Sequence, residues 1–385
     1  MNLSHGLHLA YCTNIHRGET WPETLAALEK HTLAVKAEVC PDGPYAIGLR
    51  LGAAAVKALV DRAAREEFKR WLDRNGCYVF TINGFPYGQF HGTRVKEQVF
   101  QPDWSTVDRV EYTQALFTIL ADIVPPGVSG SVSTVPGTHK ELLLSAKQEQ
   151  DLTANLGDMA TWIARLSDRT GIDLHLGLEP EPLGYIETTA ETMRFFEKLG
   201  QGEEIRRCLG VNYDTCHLAV EFEDGAPGLA QLAERGIRLS KLHLSSALRV
   251  PCVPPALKRL KEFQEDVYFH QTIARRPDGS LQRFRDLPDA LAHAAAHGVP
   301  EDEEWRVHFH VPLHAEVEEP FGDTRDHLLA ALDWLAAAPE KCAHLEMETY
   351  TWEVLPRDLR TGNVVDQLVR EYAWTLDALR ARKLA

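Results

Sequence analysis

Residues 173–182 read DLHLGLEPEP, a short apolar run that ends in two glutamates, each followed by proline. The run suits a buried strand and is too short for a helix, and proline marks its end. The same pattern, a short apolar run that ends in polar residues, occurs in LGVNYDTCH at 209–217 and in IRLSKLHLSS at 237–246. Helix-like stretches separate the three runs, which predicts parallel strands whose carboxyl ends carry polar side chains.

Strand-like and helix-like stretches alternate in the same way through the N-terminal part of the chain. The predicted strands are 8–14, 45–51, 78–83, 131–135, 173–178, 209–213 and 237–244, and the helices between them include 21–39 and 53–75. Their number favours a closed (β/α)8 TIM barrel over an open doubly wound sheet. The sequence has neither G-x-G-x-x-G nor a P-loop motif, which disfavours a nucleotide-binding sheet.

Two stretches compete for the eighth barrel strand. One is 305–313, and the other is 344–349, which precedes the closing helix 364–382. We take the later stretch as strand eight. The chain is then one barrel domain, residues 1–385, with 247–340 inserted between strands seven and eight as an α+β cap over the barrel mouth. The alternative makes the earlier stretch strand eight and the last strand–helix pair an addition.

The composition limits the classes of partner that the protein can bind. The chain has 385 residues, 56 acidic and 41 basic, and a formal net charge of −15. Such a surface repels nucleic acid and anionic membranes, and no apolar run approaches the roughly 18 to 20 residues of a membrane span. The N-terminus lacks a signal-peptide pattern, and the seven cysteines are scattered and odd in number, which favours the reducing cytoplasm. We expect a small-molecule metabolite as partner and leave the oligomeric state open.

Polar residues end four of the predicted strands in the order Glu179, Asp214-x-x-His217, His243 and a glutamate of 344–349. A single such residue is more often a surface group, but the carboxyl ends of barrel strands converge on one site. Carboxylates mixed with imidazole suit Mn²⁺, Zn²⁺, Co²⁺ or Mg²⁺. A dication would also offset the repulsion among carboxylates in a barrel mouth. The ordered set therefore predicts a divalent metal site.

This order of residues resembles the xylose isomerase-like TIM-barrel superfamily, which includes sugar isomerases, ketose 3-epimerases, inosose dehydratases and endonuclease IV. The resemblance implies one to three divalent ions, with Glu179, Asp214, His243 and a final-strand glutamate as ligands. It also implies a substrate contact or a second metal for His217 and a substrate-binding role for Arg249, six residues after His243. More narrowly, several segments resemble the TIM-barrel metabolite-traffic protein of the ebo gene cluster: AYCTN at 10–14, IGLRL at 47–51, TINGFP at 81–86, RVHFHVPL at 306–313 and ETYTWEVLP at 348–356.

Strand periodicity separates neighbouring candidates within the motif. Glu346 and Glu348 share one face of the last strand, and Glu348 is nearer the mouth. We take Glu348 as the ligand and expect Glu346 to lie deeper, paired with Arg50. Glu181 shares a face with Glu179 and is expected to support it.

Further polar residues are expected around the substrate. His308 and His310 alternate with apolar residues and share a strand face, which is either a solvated face or part of the site. In the second interpretation, His310 and His270 roof the site as acid–base or substrate groups. Asn14 and Asn83 follow strands one and three and are expected to face the substrate.

The leading function is a divalent-metal-dependent isomerase or epimerase of a small polyhydroxylated or α-hydroxycarbonyl metabolite. The ion would acidify a C–H bond, and Glu179 and Glu348 would exchange roles as base and acid. Two other classes stay open: a metal-dependent hydrolase or phosphoesterase of a small molecule, and a non-catalytic metabolite-binding component.

Overall fold

The computed structural model describes residues 1–92, 94–356 and 359–385. Its strands, in chain order, are β1 (His8–Tyr11), β2 (Tyr45–Arg50), β3 (Cys77–Asn83), β4 (Gly130–Thr134), β5 (Leu174–Leu178), β6 (Leu209–Asp214), β7 (Arg238–Leu244), β8 (Ala247–Pro251), β9 (Thr272–Arg275), β10 (Leu281–Phe284), β11 (Glu304–His310), β12 (Gly322–Asp323) and β13 (His344–Met347). Strands β1–β7 and β13 form one parallel sheet of eight strands. A parallel bridge between Cys12 and Gly48 joins its two edges. The predicted (β/α)8 TIM barrel is confirmed.

Helices pack on the barrel and on the five strands outside it. They are α1 (Trp21–Ala27), α2 (Leu33–Val39), α3 (Ala53–Leu59), α4 (Arg62–Arg74), α5 (Val107–Ile123), α6 (Ala146–Thr170), α7 (Thr189–Leu199), α8 (Glu203–Cys208), α9 (Thr215–Val220), α10 (Gly225–Glu234), α11 (Pro254–Arg259), α12 (Leu287–His297), α13 (Arg325–Ala337) and α14 (Val364–Ala381). The helix predicted over 53–75 is two helices, because the Asp61 carboxylate accepts a hydrogen bond from Ala64 N and begins α4 there. Among the helices of the described residues, none has the length and apolar composition of a membrane span.

The eighth barrel strand is β13. It lies between β1 and β7, with His344 opposite His8 and Leu345 opposite Leu242. The competing stretch forms β11, which pairs antiparallel with β8 and β9 in a second sheet. The choice of 344–349 is confirmed, and the alternative is wrong.

The second sheet has five strands in the order β10-β9-β11-β8-β12 and a core of its own. In that core Trp305, Val307 and Phe309 pack with residues of β8. Helix α13, by contrast, buries Leu328 and Leu332 in the core that the barrel shares with its outer helices. We therefore propose that the inserted segment ends before α13 and covers 247–323 rather than 247–340.

Gly48 makes room for a buried carboxylate inside the barrel. A Cβ atom at this position would overlap Glu346 Oε1 and lie 2.6 Å from the carbonyl oxygen of Tyr11. Glu346 itself is fully buried on β13. The glycine is therefore required by the close approach of the Glu346 carboxylate to the β2 backbone.

Glu371 on α14 joins the closing helix to both the inserted segment and the loop after β13. Its Oε1 accepts hydrogen bonds from Leu313 N at 3.0 Å and from Thr349 Oγ1 at 2.7 Å. Burial raises the pKa of Glu371 to about 7 and outweighs the opposite effect of these two hydrogen bonds.

We expect Gly48→Ala to destabilise the fold by about 1–3 kcal/mol, because the added methyl group overpacks the barrel interior. Urea unfolding measures the change in free energy. The control is Gly157→Ala in α6, where a Cβ meets nothing within 4 Å. That variant should be unchanged or more stable by up to ~1 kcal/mol, since alanine favours helix. Equal stability of Gly48→Ala and the wild type would contradict the close-approach argument.

Glu371→Gln should change how stability depends on pH. The Glu371 carboxyl keeps its proton to a higher pH in the folded protein than in the unfolded chain, so its stabilising effect is complete below pH 4.5 and falls as pH rises through about 7. The glutamine does not titrate, so its stability relative to the wild type should rise by about 2 kcal/mol between pH 5 and pH 8. Urea unfolding at both pH values tests this. The exposed Glu340, changed to Gln, is the control, and a parallel pH response of all three proteins would refute the prediction.

Candidate metal centre

The carboxyl ends of β5, β6, β7 and β13 bring four side chains together. One ligand atom each from Glu179, Asp214, His243 and Glu348 lies within 4.8 Å of all the others, and all four residues are buried. His243 Nδ1 lies 3.0 Å from Glu179 Oε1, 3.4 Å from Asp214 Oδ2 and 3.3 Å from Glu348 Oε2. These are the four residues that the resemblance implied as ligands, and their role in binding metal stays a prediction.

Asp214 is oriented by the helix that follows it. It is the N-cap of α9, and its Oδ1 accepts hydrogen bonds from Cys216 N, His217 N and Ser245 Oγ at 2.7, 3.1 and 2.6 Å. The first turn of a helix has unsatisfied N–H groups, which an aspartate at this position satisfies. Since Oδ1 is fully used, Oδ2 is left to face the other carboxylates.

His243 is oriented from below by Glu346 and Lys241. Its Nε2 donates to Glu346 Oε2 at 2.7 Å, so that Nδ1 faces the cluster. Lys241 Nζ donates to the same Glu346 oxygen at 2.5 Å and to Ser133 Oγ at 3.0 Å. Burial alone would raise the pKa of Glu346, but Lys241 and His243 lower it to about 2. A carboxylate behind the imidazole is the usual way of fixing a metal-binding histidine.

The expected pairing of Glu346 with Arg50 is wrong. The Arg50 guanidinium lies 2.9 Å from Glu19 Oε2 and donates to the carbonyl oxygens of Gly18 and Gly88. The side chain of Arg50, at the end of β2, is thus held by the loops above the barrel. The Glu346 carboxylate lies deeper, against Gly48.

Glu348 is held by two amides. Asn14 Nδ2 donates to Glu348 Oε1 at 2.7 Å, and Asn83 Nδ2 approaches the same oxygen at 3.4 Å. Glu348 Oε2 is the oxygen that faces His243. Both asparagines therefore lie at the site, as the sequence predicted, and their contact is with a candidate ligand.

The charges at the site do not balance without a cation. Four buried carboxylates, those of Glu179, Asp214, Glu346 and Glu348, face the single ammonium of Lys241. Glu179 Oε2 has no hydrogen-bond partner among the described residues. Unpaired buried carboxylates are costly. The donor set, three carboxylates and one imidazole, fits a divalent ion such as Zn²⁺, Mn²⁺, Co²⁺ or Mg²⁺.

The pKa values of Asp214 and His243 show the same imbalance. Burial alone would raise the pKa of Asp214, but the imidazoles of His217 and His243 hold it well below its ordinary value. Burial alone would lower the pKa of His243, but Glu348 and Glu179 raise it well above its ordinary value. In the protein alone, a proton on His243 offsets part of this negative charge, and a bound dication would take the place of that proton.

Two histidines, His217 and His310, lie beside the four candidate ligands. His217 Nδ1 donates to Pro180 O at 2.9 Å, so its Nε2 faces Asp214 Oδ2 at 3.8 Å. His310 Nδ1 donates to the carbonyl oxygen of Glu348 at 2.8 Å, and its Nε2 has no hydrogen-bond partner among the described residues. Asp214, His217, His310 and Glu348 form a second group with the spacing of metal ligands.

Glu181 belongs to a third group. Its carboxylate lies 3.6 Å from His217 Nδ1 and 3.5 Å from His308 Nδ1, and the three residues again have the spacing of metal ligands. Burial, with the nearby carboxylates of Glu179 and Asp214, raises the pKa of Glu181 well above its ordinary value. His308 thus lies at the site, so the face that it shares with His310 is not a solvated one.

Two predicted substrate residues are not brought to the cluster. Arg249 lies on β8 and pairs with Asp326 at 2.7 Å, because the inserted sheet directs it towards the start of α13. His270 Nδ1 donates to the carbonyl oxygen of His308 at 2.9 Å, and its Nε2 lies 3.0 Å from Glu265 Oε1. Arg249 therefore has no contact with the cluster, and His270 supports β11 from behind.

A cavity opens above the cluster. Its polar lining includes Asn14, Asn83, Glu179, His217 and Glu348. Two of the four candidate ligands, Glu179 and Glu348, thus face the cavity.

Sequence reasoning missed Lys241, Gln271 and Tyr350. The position of Lys241 could have been predicted, because it precedes His243 by two residues and therefore lies on the same inward face of the strand. Gln271 Oε1 accepts from His308 Nδ1 at 2.7 Å, and both Gln271 and Tyr350 line the cavity. These two residues lie outside the strands, where no periodicity points to them.

Comparisons with known proteins give the fold. No protein-family model matches the sequence, and no curated protein matches it. Among solved structures, the chain is similar to a putative sugar phosphate isomerase/epimerase from Anabaena variabilis, with a TM-score of 0.54, 9% identity and coverage of 98% of this chain and 99% of that one. It is also similar to a D-tagatose 3-epimerase-like protein, with a TM-score of 0.50, 10% identity and coverage of 97% of each chain. The shared fold is a TIM barrel.

A third similar structure is that of the IolI protein with a bound zinc atom, which has a TM-score of 0.47, 10% identity and coverage of 97% of this chain and 98% of that one. At 9–10% identity these neighbours show the fold alone, so the resemblance to the xylose isomerase-like superfamily stays a prediction. The narrower resemblance to the ebo-cluster protein stays a prediction.

We expect Glu346→Gln to weaken metal binding by about 10- to 100-fold, because the His243 ring loses the charged acceptor that orients it. Titration of the purified protein with Zn²⁺ against a competing chelator measures the dissociation constant. Glu197→Gln, at a glutamate whose side chain is 59% exposed, is the matched control. A folded Glu346→Gln protein with the wild-type dissociation constant would show that Glu346 does not position His243.

Proposed function

We propose that this protein is a divalent-metal-dependent isomerase or epimerase of a small α-hydroxycarbonyl or polyhydroxylated metabolite. The observation that carries the proposal is the placement of Glu179 and Glu348. Both carboxylates approach His243 Nδ1, and both line the cavity above it. A substrate bound in that cavity would therefore contact both carboxylates.

The residues of the site suit proton transfer between neighbouring carbon atoms. When bound, the ion supplies Lewis-acid polarisation of a carbonyl and its adjacent hydroxyl, which acidifies the C–H bond between them. Glu179 Oε2, which has no hydrogen-bond partner among the described residues, accepts the proton from carbon. The electron pair of that bond moves into the enediolate. For isomerisation, Glu179 gives the same proton to the neighbouring carbon. For epimerisation, Glu348 first takes a proton from solvent and delivers it to the opposite face, and Glu179 releases its proton to solvent.

The other polar residues orient the reacting groups. Asn14 and Asn83 donate hydrogen bonds to Glu348 Oε1, so Glu348 Oε2 is left for proton transfer or metal binding. His217 presents Nε2 beside Asp214 and is placed to contact a substrate oxygen. Because Arg249 is paired with Asp326, His217 takes the substrate-holding role without it.

Overlapping ligand groups favour a second candidate, a hydrolase or phosphoesterase of a small molecule. Hydrolysis by two or more metal ions requires more than one group of ligands. Additional ligand atoms beside Glu179, Asp214, His243 and Glu348 come from Glu181, His217, His308 and His310. The ratio of metal to protein distinguishes the candidates: one ion per chain supports the isomerase, and two or three support the hydrolase.

Two further parts of the proposal come from the sequence alone. The acidic charge and scattered cysteines support a cytoplasmic protein whose partner is a metabolite rather than nucleic acid or membrane. The ebo-cluster resemblance supports a place in the traffic of a secondary metabolite, where a non-catalytic binding component is the third candidate. A ligand that co-purifies without turnover would favour that candidate.

The test of the leading function is exchange of a substrate hydrogen with solvent. The metal-loaded protein in D₂O should introduce deuterium at the carbon beside the carbonyl of at least one member of a set of ketoses and α-hydroxy ketones, as NMR shows. Glu179→Gln and Asp214→Asn should lose bound metal by elemental analysis and lower the exchange rate by at least about 10²-fold.

Glu197→Gln, at an exposed glutamate, is the control and should keep both properties. Full metal content in both site variants would refute the assigned ligands. A metal-loaded wild type that exchanges no hydrogen but cleaves phosphate esters would replace the isomerase by the hydrolase.

A further inference from the structure

We propose that the substrate of this site joins two neighbouring oxygen atoms to an uncharged aromatic or similarly planar apolar group. The inference rests on the proposed function, since the candidate ion defines the end of the cavity to which the oxygen atoms bind. It goes beyond that function because it names the chemical group attached to the two oxygen atoms. The evidence is the division of the cavity into a polar floor and an aromatic wall.

The wall is built from segments far apart in the chain. Phe85 and Phe100 follow β3, Phe269 belongs to the inserted segment, and Tyr350 follows β13. Phe85 and Phe100 meet edge to face, with ring centroids 5.5 Å apart. The side chains of Phe85, Phe100 and Phe269 carry no hydrogen-bonding group, so these three residues satisfy no hydroxyl of a ligand. Tyr350 adds its ring to the wall but also carries a hydroxyl.

Tyr268 adds to the apolar surface although it carries a hydroxyl. Its oxygen donates to Phe90 O at 3.2 Å and lies 2.9 Å from His91 Nδ1. Its ring packs against those of Phe90 and Tyr350. The hydroxyl is thus used within the protein, and the ring is what remains for a ligand.

Most polar side chains of the cavity lie at or next to the candidate ligands. Asn14 and Asn83 contact Glu348. A connected set beside them comprises His217, Glu181, His308 and Gln271. Lys96 is the exception, because it lies over the Phe269 ring. A ligand hydroxylated along its whole length would lose water along the phenylalanine wall without gaining a hydrogen bond, which costs free energy. A ligand with oxygen atoms at one end and a ring at the other satisfies both halves of the cavity.

Charge argues against a phosphorylated ligand. Among the lining residues that the structure describes, Lys96 is the single lysine or arginine. Its ammonium is already paired with Asp286 Oδ2 at 2.5 Å and lies over the Phe269 ring. A phosphate would meet the carboxylates of Glu179 and Glu181 with no free cation from these lining residues. The apolar group is therefore uncharged.

A matched pair of hydroxamates tests the inference. Benzohydroxamate and acetohydroxamate present the same two neighbouring oxygen atoms to a metal ion, and they differ in a phenyl against a methyl group. Isothermal titration of the Zn²⁺-loaded protein measures both dissociation constants. We expect benzohydroxamate to bind about 10- to 100-fold more tightly, from burial of the ring.

Two variants locate the ring. Val99→Trp fills the cavity from a half-buried lining position, and Phe269→Ala removes part of its wall. Each should reduce the preference for benzohydroxamate at least fivefold while the dissociation constant of acetohydroxamate stays within twofold. Val107→Trp is the control, since Val107 is 64% exposed and does not line the cavity. Circular dichroism checks that each variant is folded. If Val99→Trp does not fold, Phe269→Ala alone tests the position of the phenyl ring.

The outcomes separate the two proposals. Equal affinity for both hydroxamates, or tighter binding of a ketohexose than of benzohydroxamate, overturns the substrate class and leaves the metal site standing. A preference that survives in both variants places the ring elsewhere and overturns the inference. A protein that holds no Zn²⁺ and binds neither hydroxamate overturns the proposed function, and this inference falls with it.

Discussion

Negative charge buried in the mouth of the barrel is the constraint on which the rest of the structure depends. Glu179, Asp214, Glu346 and Glu348 are buried, and Lys241 supplies one positive charge against the four. Hydrogen-bond donors reduce the cost of this burial. The N-terminus of α9 donates to Asp214, two amides donate to Glu348, and a lysine and an imidazole donate to Glu346. The oxygen atoms that remain turn towards one point, which is how a protein prepares a position for a cation.

The candidate ligands were predictable because two regularities of parallel sheets act together. Side chains alternate between faces along a strand, and the carboxyl ends of barrel strands meet at one rim. Glu179, Asp214 and His243 could therefore be placed near one another before any coordinates existed. The choice of Glu348 over Glu346 followed from depth along the same strand, and the structure places Glu348 at the rim and Glu346 one layer below.

Other features of the site could not be predicted, because they depend on contacts that follow no helical or strand periodicity. Glu346 pairs with Lys241 because the Lys241 side chain reaches into the barrel, whereas Arg50 pairs with Glu19. Gly48 leaves room for the Glu346 carboxylate. Arg249 was placed by its spacing from His243, but it lies on a strand of the second sheet, and an aspartate at the start of α13 pairs with it. The aromatic wall comes from loops and from the inserted segment, where neither helical nor strand periodicity marks an inward residue.

The hydrogen bond from His310 to the backbone of Glu348 couples the two sheets. The strand that carries His310 belongs to the second sheet, and Thr351 donates a hydrogen bond to the carbonyl oxygen of His310. Two hydrogen bonds thus join the second sheet to the segment that follows β13. A substitution that shifts β11 is therefore expected to displace the candidate ligand Glu348 as well, although the two residues lie in different sheets.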